Sequence, residues 1–546
     1  MPKCLSRLPA AIVIALIAVT IGTVSAQTPS TKSSTASGNA SSFPRPKTRP
    51  LKDLGSKVGL PALRSRATIV TTVGAGGRGR SLAKRRAVPR YPRPRARPSR
   101  FAPPPTLPRA RRSAGAGRSR DSLSTLQNNL SKLCNGASKV PVEILHLGDS
   151  HTAADIFSGF LRDNFQRDFG AGGRGMLPVG LPFKYYGPKQ IKVSAKKKWS
   201  HQSSFKRKHS GPFGITGFRA IAKSSKQRLV LATRKSPAFE MFKLEVRALE
   251  GGGDLNVKIG GWPTTRLSTQ VGRYRSAGRA GMLHWIDPLR AADGRRLPYV
   301  EHTFYVGSGA KKVEVWPAGN GPVELLSWSV RRGRPGVLYH SQGVIGATAE
   351  IIRRWDRKLV HAQLDRLRPD LILLAYGTNE GFNDTLRVKS YTKNVRRALR
   401  DLRSASPSAS IAIVAPPDAA RVPKYCGKAA RKQARCSALS SSEARNYTAL
   451  LRAKSPALCR WHAPPKLARV RSVLKEIART DGYFYWDWSK VMGGQCGTDK
   501  WTKVRPKLAH GDRVHLTNLG YKRSADALYK QLRGAASCPA TRQGAS

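Results

Sequence analysis

Acidic residues are scarce in this sequence. Its 546 residues include 99 lysines and arginines but only 31 aspartates and glutamates, which gives a formal net charge of +68. A charge of this size steers the chain towards polyanions and favours non-specific binding, but it does not determine a fold. The length exceeds that of one compact core, so we expect two or more domains.

Cysteine is also infrequent. The chain has seven, and no two form a C-x-x-C pair, so the sequence gives little support for a zinc site. Six remain once Cys4 is set aside, and an even number is typical of disulfides in an exported protein. These six are Cys134, Cys426, Cys436, Cys459, Cys496 and Cys538. Six cysteines allow fifteen pairings. The sequence does not choose among them, but four lie within 426–496, so we expect at least one bridge there.

The apolar run near the N-terminus, Ala10 to Val19, is too short to span a bilayer comfortably. A short basic region precedes it and small residues follow it, which is the order of a secretory signal peptide. We therefore predict export to the periplasm or cell envelope, with cleavage after Ala26; a retained anchor is the alternative. Cys4 lies before the run, which argues against a lipoprotein.

Residues 27–120 are poor in apolar side chains and acids. They include 23 lysines or arginines and one acid, Asp53, and this excess of positive charge is about a third of the total. Such a segment cannot bury enough apolar surface to offset the entropy of ordering, and its like charges repel. We predict a disordered linker that tethers the protein to anionic wall polymers or to a membrane surface, with a passive spacer as the alternative. We predict no specific nucleic-acid partner.

The rest of the chain has two kinds of sequence pattern. In 121–184 and 331–538, short apolar strands alternate with helical spacing, which predicts a parallel sheet covered by helices on both faces. In 185–330, strand-like runs separated by turn residues predict an inserted β-sandwich. We predict a helix from about Thr152 to Phe169, ended by the glycines of 170–175, and we interpret 172–175 as a flexible loop near the cleft. The predicted organisation is thus a signal peptide (1–26), a linker (27–120) and an α/β domain whose two parts flank the insertion.

Polar, reactive residues follow two predicted strands and precede the last helix. Gly148-Asp149-Ser150-His151 comes after the strand 142–147, and Gly377-Thr378-Asn379-Glu380 comes after the strand 371–376. Asp512 and His515 come shortly before the helix 521–532. Because open parallel sheets bind ligands at the carboxyl ends of their strands, we expect these residues to form one site.

Ester cleavage by a serine requires a base and a group that orients the base. His515 can take the proton of Ser150 through one ring nitrogen, and Asp512 can reach the other nitrogen. The carbonyl oxygen that becomes negative requires hydrogen-bond donors. The backbone N–H groups of Ser150 and Gly346 and the side-chain amide of Asn379 are the candidates. The sequence therefore predicts a catalytic triad of Ser150, His515 and Asp512.

Each motif alone has a simpler explanation. Asp and Ser are favoured as helix caps, and an Asn after Gly-Thr is often part of a turn. The order of the motifs, and their shared place beside predicted strands, argue against coincidence. The absence of a G-x-S-x-G motif argues against the α/β-hydrolase fold. We expect His146 and Asp149 to be structural, and we leave open whether His151 lines the site.

Together the motifs resemble the four blocks of the SGNH/GDSL hydrolase superfamily. The matching segments are Gly148-Asp149-Ser150, Gly343-Val-Ile-Gly346-Ala347, Gly377-Thr378-Asn379-Glu380 and Asp512-x-x-His515. Glu380 departs from the family, which more often has Asp there. The resemblance implies a flavodoxin-like three-layer α/β/α sandwich and a serine esterase that needs no metal or other cofactor.

A narrower resemblance is to exported peptidoglycan O-acetylesterases. That group shares the Gly-Asp-Ser-His and Gly-Thr-Asn-Glu sequences and a segment similar to Tyr339-His340-Ser341. It also carries a carbohydrate-binding-like β-sandwich between the first two blocks. The resemblance implies an acetylated cell-wall polysaccharide as substrate and removal of acetyl from the 6-hydroxyl of N-acetylmuramic acid. Two alternatives stay open: a polysaccharide O-acetyltransferase with the same triad, and a non-enzymatic wall-binding protein.

Overall fold

The structure is a computed structural model that describes residues 122–234, 238–273, 282–536 and 538. The predicted signal peptide (1–26) and the predicted basic linker (27–120) lie outside the described residues. No helix in the described part of the chain combines the length and apolar character that crossing a bilayer requires.

A five-stranded parallel sheet forms the centre of the α/β domain. Its strands, in spatial order, are Val337–Gly343, Val142–Gly148, Leu371–Ala375, Ser410–Ala415 and Phe484–Asp487. The strand Val142–Gly148 is buried along its whole length, as expected for a parallel sheet covered on both faces. Successive side chains point to opposite faces, so Leu145 and Leu147 join one apolar core while Val142 and Ile144 join the other.

Helices cover both faces of this sheet. One face packs against Ser124–Cys134, Phe157–Phe169 and Asn518–Arg533. The opposite face packs against Arg357–Leu367, Val388–Ala405 and Pro465–Asp481. Shorter helices are Ser150–Ala153, Thr378–Gly381, Lys428–Gln433, Ser441–Arg445, Tyr447–Arg452, Trp488–Val491 and Gly497–Lys503, with 3-10 turns at Ala349–Arg354 and Pro456–Leu458. The predicted three-layer α/β/α sandwich is confirmed.

Between the first and second strands of the parallel sheet in chain order lie two antiparallel sheets. One has the order Met282–Arg290, Arg296–Ala310, Phe239–Arg247, Val323–Arg331, Phe218–Ala222 and Ser200–Ser203, with Gly173–Leu177 also paired to Val323–Arg331. The other has the order Ile191–Lys196, Arg228–Thr233, Lys312–Pro317, Asp254–Ile259 and Thr265–Ser268. Apolar side chains from both sheets share one core, so the insertion is a β-sandwich as predicted.

Two local predictions were wrong. Residues 173–175, predicted as part of a loop, begin the strand Gly173–Leu177, because the last strand of the insertion offers it a pairing edge. The helix predicted from Thr152 to Phe169 is divided into Ser150–Ala153 and Phe157–Phe169. Asp155 lies in the break with a φ of 49°, a left-handed conformation that a helix cannot continue through.

Buried polar contacts join the β-sandwich to the α/β domain. Both carboxylate oxygens of Glu245, in the sandwich, lie 2.8 Å from the amide nitrogen of Gln363 in the helix Arg357–Leu367. The hydroxyl of Ser327 also donates to Glu245. At the end of the last sandwich strand, Arg331 forms an ion pair of 2.6 Å with Glu143 of the first parallel strand. Specific contacts therefore orient the insertion on the domain that holds the four sequence motifs.

Three disulfides join the six cysteines. They are Cys134–Cys538, Cys426–Cys459 and Cys436–Cys496. The first links the helix Ser124–Cys134 to the C-terminal region across 404 residues. The other two lie within 426–496, where at least one bridge was predicted.

Candidate active site

Three of the predicted motifs meet at one edge of the parallel sheet. Gly148 lies level with Gly343 on one side and with Ala375 on the other, so these three strands end together. The turns that follow them hold Ser150, Gly346 and Asn379. The side chain of Asn379 donates to the carbonyl of Ala347 at 2.8 Å, which ties the third turn to the second.

Two positions at this edge require glycine, Gly343 because of close packing and Gly346 because of its backbone conformation. A Cβ on Gly343 would lie 2.1 Å from the backbone nitrogen of Ala153, so only glycine lets the turn that carries Ser150 pack against this strand. Gly346 has a φ of 76°, in the left-handed region that glycine adopts without strain. Both glycines belong to the block identified in the sequence.

The structure brings Ser150, His515 and Asp512 together. The Oγ of Ser150 lies 3.2 Å from Nε2 of His515, although 365 positions separate them in the chain. The other ring nitrogen, Nδ1, lies 2.7 Å from the carboxylate of Asp512. The second oxygen of Asp512 accepts hydrogen bonds of 3.0 Å from the backbone N–H groups of Val514 and His515. This chain of contacts is the one that a serine nucleophile, a base and an orienting carboxylate require.

Contacts of Arg513 stabilise the turn that holds Asp512 and His515. This residue has a φ of 52°, and its guanidinium forms a 3.0 Å ion pair with the buried Asp499 and stacks on Trp461 at 3.9 Å from the ring centre. The backbone carbonyl of Arg513 also accepts a hydrogen bond from the N–H of Ala420. These contacts hold the left-handed residue between the aspartate and the histidine.

Electrostatics at the site favour a basic imidazole. Burial of the His515 ring opposes its charged form, but the hydrogen bond and charge of Asp512, with a smaller contribution from Asp149, outweigh burial and raise the pKa of His515. Burial also acts on Asp512 in the direction of a higher pKa, but the contacts with His515 and the backbone lower that pKa to about 2. Asp512 is therefore ionised at neutral pH and stabilises a proton on the imidazole.

The three candidate donors for the carbonyl oxygen lie on the three turns at this edge of the sheet. Within the part of the chain that the structure describes, the backbone N–H groups of Ser150 and Gly346 have no acceptor. The amide nitrogen of Asn379 carries two hydrogens, and one of them is donated to the carbonyl of Ala347. All three groups therefore retain a hydrogen for a ligand.

Two buried carboxyl groups are direct chain neighbours of site residues, Asp149 before Ser150 and Glu380 after Asn379. Asp149 caps the helix Ser150–Ala153 by accepting from the N–H of His151, which confirms a role in the turn. Glu380 accepts from the N–H of Ala349 at 2.8 Å. Burial raises the pKa of Asp149 to about 6 and that of Glu380 to about 7. The sequence pointed to Glu380 only as a departure from the family, and its contact with Ala349 was missed.

The two histidines that flank the serine motif are buried and neutral. His146 contacts the hydroxyls of Tyr339 (2.8 Å) and Thr152 (3.1 Å), which confirms the expected structural role. The Nδ1 of His151 contacts the hydroxyl of Tyr521 at 2.8 Å, and its ring centre lies 5.4 Å from that of His515. Burial lowers the pKa of each to about 3. His151 therefore packs beside the site histidine.

Comparison with known proteins agrees with this geometry. Residues 319–523 match the model of the GDSL-like Lipase/Acylhydrolase family. The match includes Gly346, Asn379, Asp512 and His515 but begins after Ser150, which lies before the inserted strands. The chain has no match among curated protein sequences.

Among solved structures, the chain is similar to one described as a peptidoglycan O-acetylesterase. The two share 21% identity with a TM-score of 0.57, over 77% of this chain and 97% of the other. A family two carbohydrate esterase from Cellvibrio japonicus shares 11% identity over 63% of this chain and 98% of its own, with a TM-score of 0.21. The first comparison shows a common fold, while the second is too distant to support an argument.

The fold and the family match define an SGNH-type serine esterase. The match to the GDSL-like Lipase/Acylhydrolase family model covers residues 319–523, and the fold is shared with the structure described as a peptidoglycan O-acetylesterase.

Proposed function

We infer that this protein removes O-acetyl groups from a cell-wall glycan, and that its substrate is the 6-O-acetyl group of N-acetylmuramic acid in peptidoglycan. The observation that carries the proposal is the 3.2 Å approach of Ser150 Oγ to His515 Nε2, with Asp512 2.7 Å from the opposite ring nitrogen. The shared fold with a structure described as a peptidoglycan O-acetylesterase supports the choice of substrate.

In the first half of the reaction, Ser150 Oγ attacks the acetyl carbonyl carbon while Nε2 of His515 takes its proton. The carbonyl π electrons move to the oxygen, and the N–H groups of Ser150 and Gly346 and the amide of Asn379 stabilise this oxyanion. Asp512 keeps the proton on Nδ1 and stabilises the imidazolium. As the oxyanion collapses, His515 donates its new proton to the sugar oxygen, the ester C–O bond breaks, and an acetyl group remains on Ser150.

In the second half, water replaces the sugar. His515 takes a proton from the water as its oxygen attacks the acetyl carbon, and the same donors hold the second oxyanion. Collapse breaks the bond to Ser150 Oγ, which regains its proton from His515, and acetate leaves. The cycle restores every residue and requires no cofactor.

We also propose that the protein is exported, with cleavage after Ala26, and that residues 27–120 hold it near anionic wall polymers or a membrane surface. The three disulfides support an oxidising compartment such as the periplasm or cell envelope.

Acetate released from O-acetylated peptidoglycan tests this function. We expect the wild-type protein to release acetate and Ser150→Ala to lose at least about a thousandfold in rate, because the nucleophile is removed. Ser442→Ala, at an exposed serine far from the site in the chain, is the matched control. Unfolding temperatures of the three proteins should agree.

The two possible failures are distinguishable. Full acetate release by Ser150→Ala would exclude the proposed nucleophile. Hydrolysis of a small acetyl ester without release of acetate from peptidoglycan would retain the nucleophile and exclude the substrate.

A further inference from the structure

A polar cavity is lined by residues that closely follow two of the candidate oxyanion donors, Gly346 and Asn379, in the chain. Its volume is about 160 Å³, and it lies between the 3-10 turn Ala349–Arg354 and the segment 383–395. A water molecule occupies about 30 Å³ in the liquid, so the cavity has room for a group of several heavy atoms. We refer to it as the Glu380 pocket.

The walls of the Glu380 pocket continue from the same segments that hold the oxyanion donors. Thr348 and Ala349 line it and follow Gly346 by two and three positions, while Glu380 lines it and follows Asn379 directly. The N–H of Ala349 donates to Glu380, and the Asn379 amide donates to Ala347. The pocket and two of the oxyanion donors, Gly346 and Asn379, therefore belong to the same two joined segments of the chain.

Two buried polar atoms of the pocket have no partner among the described residues. They are Oε2 of Glu380, whose residue is 2% exposed, and the hydroxyl of Tyr391, whose residue is 5% exposed. Leaving a buried polar atom unpaired is costly, so a ligand that supplies a hydrogen-bonding group to either atom would be stabilised. Burial, and to a smaller extent the charge of Glu380, raises the pKa of Tyr391, so this hydroxyl keeps its proton and can donate a hydrogen bond.

The charges of the pocket favour a neutral ligand. Burial raises the pKa of Glu380 to about 7, so at neutral pH roughly half of the molecules carry a proton on this carboxyl, which can then donate a hydrogen bond. The other two charged side chains that line the pocket, Glu350 and Arg387, have opposite signs. A lining dominated by polar groups is also unsuitable for an acyl chain.

We propose that the Glu380 pocket is a sugar subsite that binds the acetamido group of the glycan beside the ester. A carbonyl oxygen has two lone pairs, so one acetamido oxygen can accept from both Tyr391 and protonated Glu380. Leu386 and Val395 supply apolar wall for its methyl group. This inference rests on the proposed function and assigns the substrate specificity of the same site.

Two matched esters test the subsite: the methyl glycosides of 6-O-acetyl-N-acetylglucosamine and of 6-O-acetylglucose. They differ only at C2, where the first has an acetamido group and the second a hydroxyl. We expect the wild-type protein to have the higher kcat/KM for the acetamido ester. Tyr391→Phe should reduce the ratio of the two kcat/KM values about tenfold, because one hydrogen bond to the acetamido group is lost. Tyr425→Phe, which removes a hydroxyl bonded to the carbonyl of Ser455 elsewhere in the fold, is the control and should leave the ratio unchanged.

A second pair of variants tests the same space by filling it. Ser390 is exposed and lines the pocket, whereas Ser404 is exposed on the same helix and does not line it. Ser390→Leu should raise KM for the acetamido ester, and Ser404→Leu should not.

Equal kcat/KM values for the two esters in the wild-type protein, or an unchanged ratio in both Tyr391→Phe and Ser390→Leu, would overturn the assignment of the pocket as a sugar subsite. Failure of the wild-type protein to hydrolyse either ester would overturn the proposed function instead.

Discussion

Asp512 uses its two carboxylate oxygens for different purposes. One accepts from the backbone N–H groups of Val514 and His515 and fixes the turn, while the other contacts Nδ1 of His515. The second contact raises the pKa of His515, the group that must be neutral to act as a base. At the scale of single residues, the carboxylate therefore sets both the orientation and the protonation of the base.

Replacing Asp512 should therefore change the pH dependence of the reaction. In the wild-type protein we expect the acid limb of kcat/KM to lie above the ordinary histidine pKa of about 6.5. In Asp512→Asn the negative charge is lost, so the pKa of His515 falls, the acid limb moves to lower pH, and kcat falls by roughly 10⁴. A profile of kcat/KM against pH with a small acetyl ester measures this. An acid limb in Asp512→Asn at or above its wild-type position would contradict the assignment.

Site residues that belong to short sequence motifs could be predicted. Contacts that only folding creates could not. Ser150, Asn379, Asp512 and His515 occur in recognisable short sequences, and the structure places them around one sheet edge. The contact of Glu380 with the N–H of Ala349 joins two segments 31 positions apart, and no local pattern encodes it. The same holds for the cavity that Glu380 lines, because a cavity exists only after packing.

At the scale of elements, predictions succeeded where burial alone decides the conformation. The strand predicted at 142–147 is Val142–Gly148, and the strand predicted at 371–376 is Leu371–Ala375, since continuous apolar runs suit a sheet covered on both faces. Strands such as Ile191–Lys196 and Gly173–Leu177 were missed. The first is mostly polar and exposed, and the second is rich in glycine, so each is a strand because of its pairing partner rather than its own sequence.

The contact between the strand Phe239–Arg247 and the helix Arg357–Leu367 makes a testable contribution to stability. Burial raises the pKa of Glu245 to about 7, partly offset by its bonds from Gln363 and Ser327. Because this pKa is higher in the folded than in the unfolded protein, the stabilisation is complete below about pH 4.5 and is lost as the pH rises through 7. Glu245→Gln removes that titration and should raise the free energy of unfolding at pH 8, relative to wild type, by roughly 3 kcal/mol more than at pH 4.

Denaturant unfolding of both proteins at the two pH values measures the effect. Asp293→Asn, which changes an exposed carboxylate paired with Arg295, is the control and should show no such pH dependence of comparable size. If the difference between Glu245→Gln and wild type is the same at both pH values, Glu245 does not titrate as described.

At the scale of the whole molecule, the esterase site and the basic segment are expected to act separately. The site needs only residues of the α/β domain, whereas 27–120 supplies about a third of the net charge. A variant lacking residues 27–120 should bind anionic wall material more weakly, and its remaining binding should depend less on salt, because screening acts on exposed charges. Turnover of a small ester should be unchanged. A fall in turnover as large as the fall in binding would show that the segment is not a separate tether.

In the proposed mechanism, Ser150 carries the acyl group during turnover. The direct measurement is rapid acid quenching of the enzyme during hydrolysis of a small acetyl ester, followed by mass spectrometry of the peptide that contains residue 150. We predict one acetyl group on Ser150 in the wild-type protein and none on that peptide in Ser150→Ala. An acetyl group found on a different residue that is required for turnover, with Ser150 unmodified, would contradict the account.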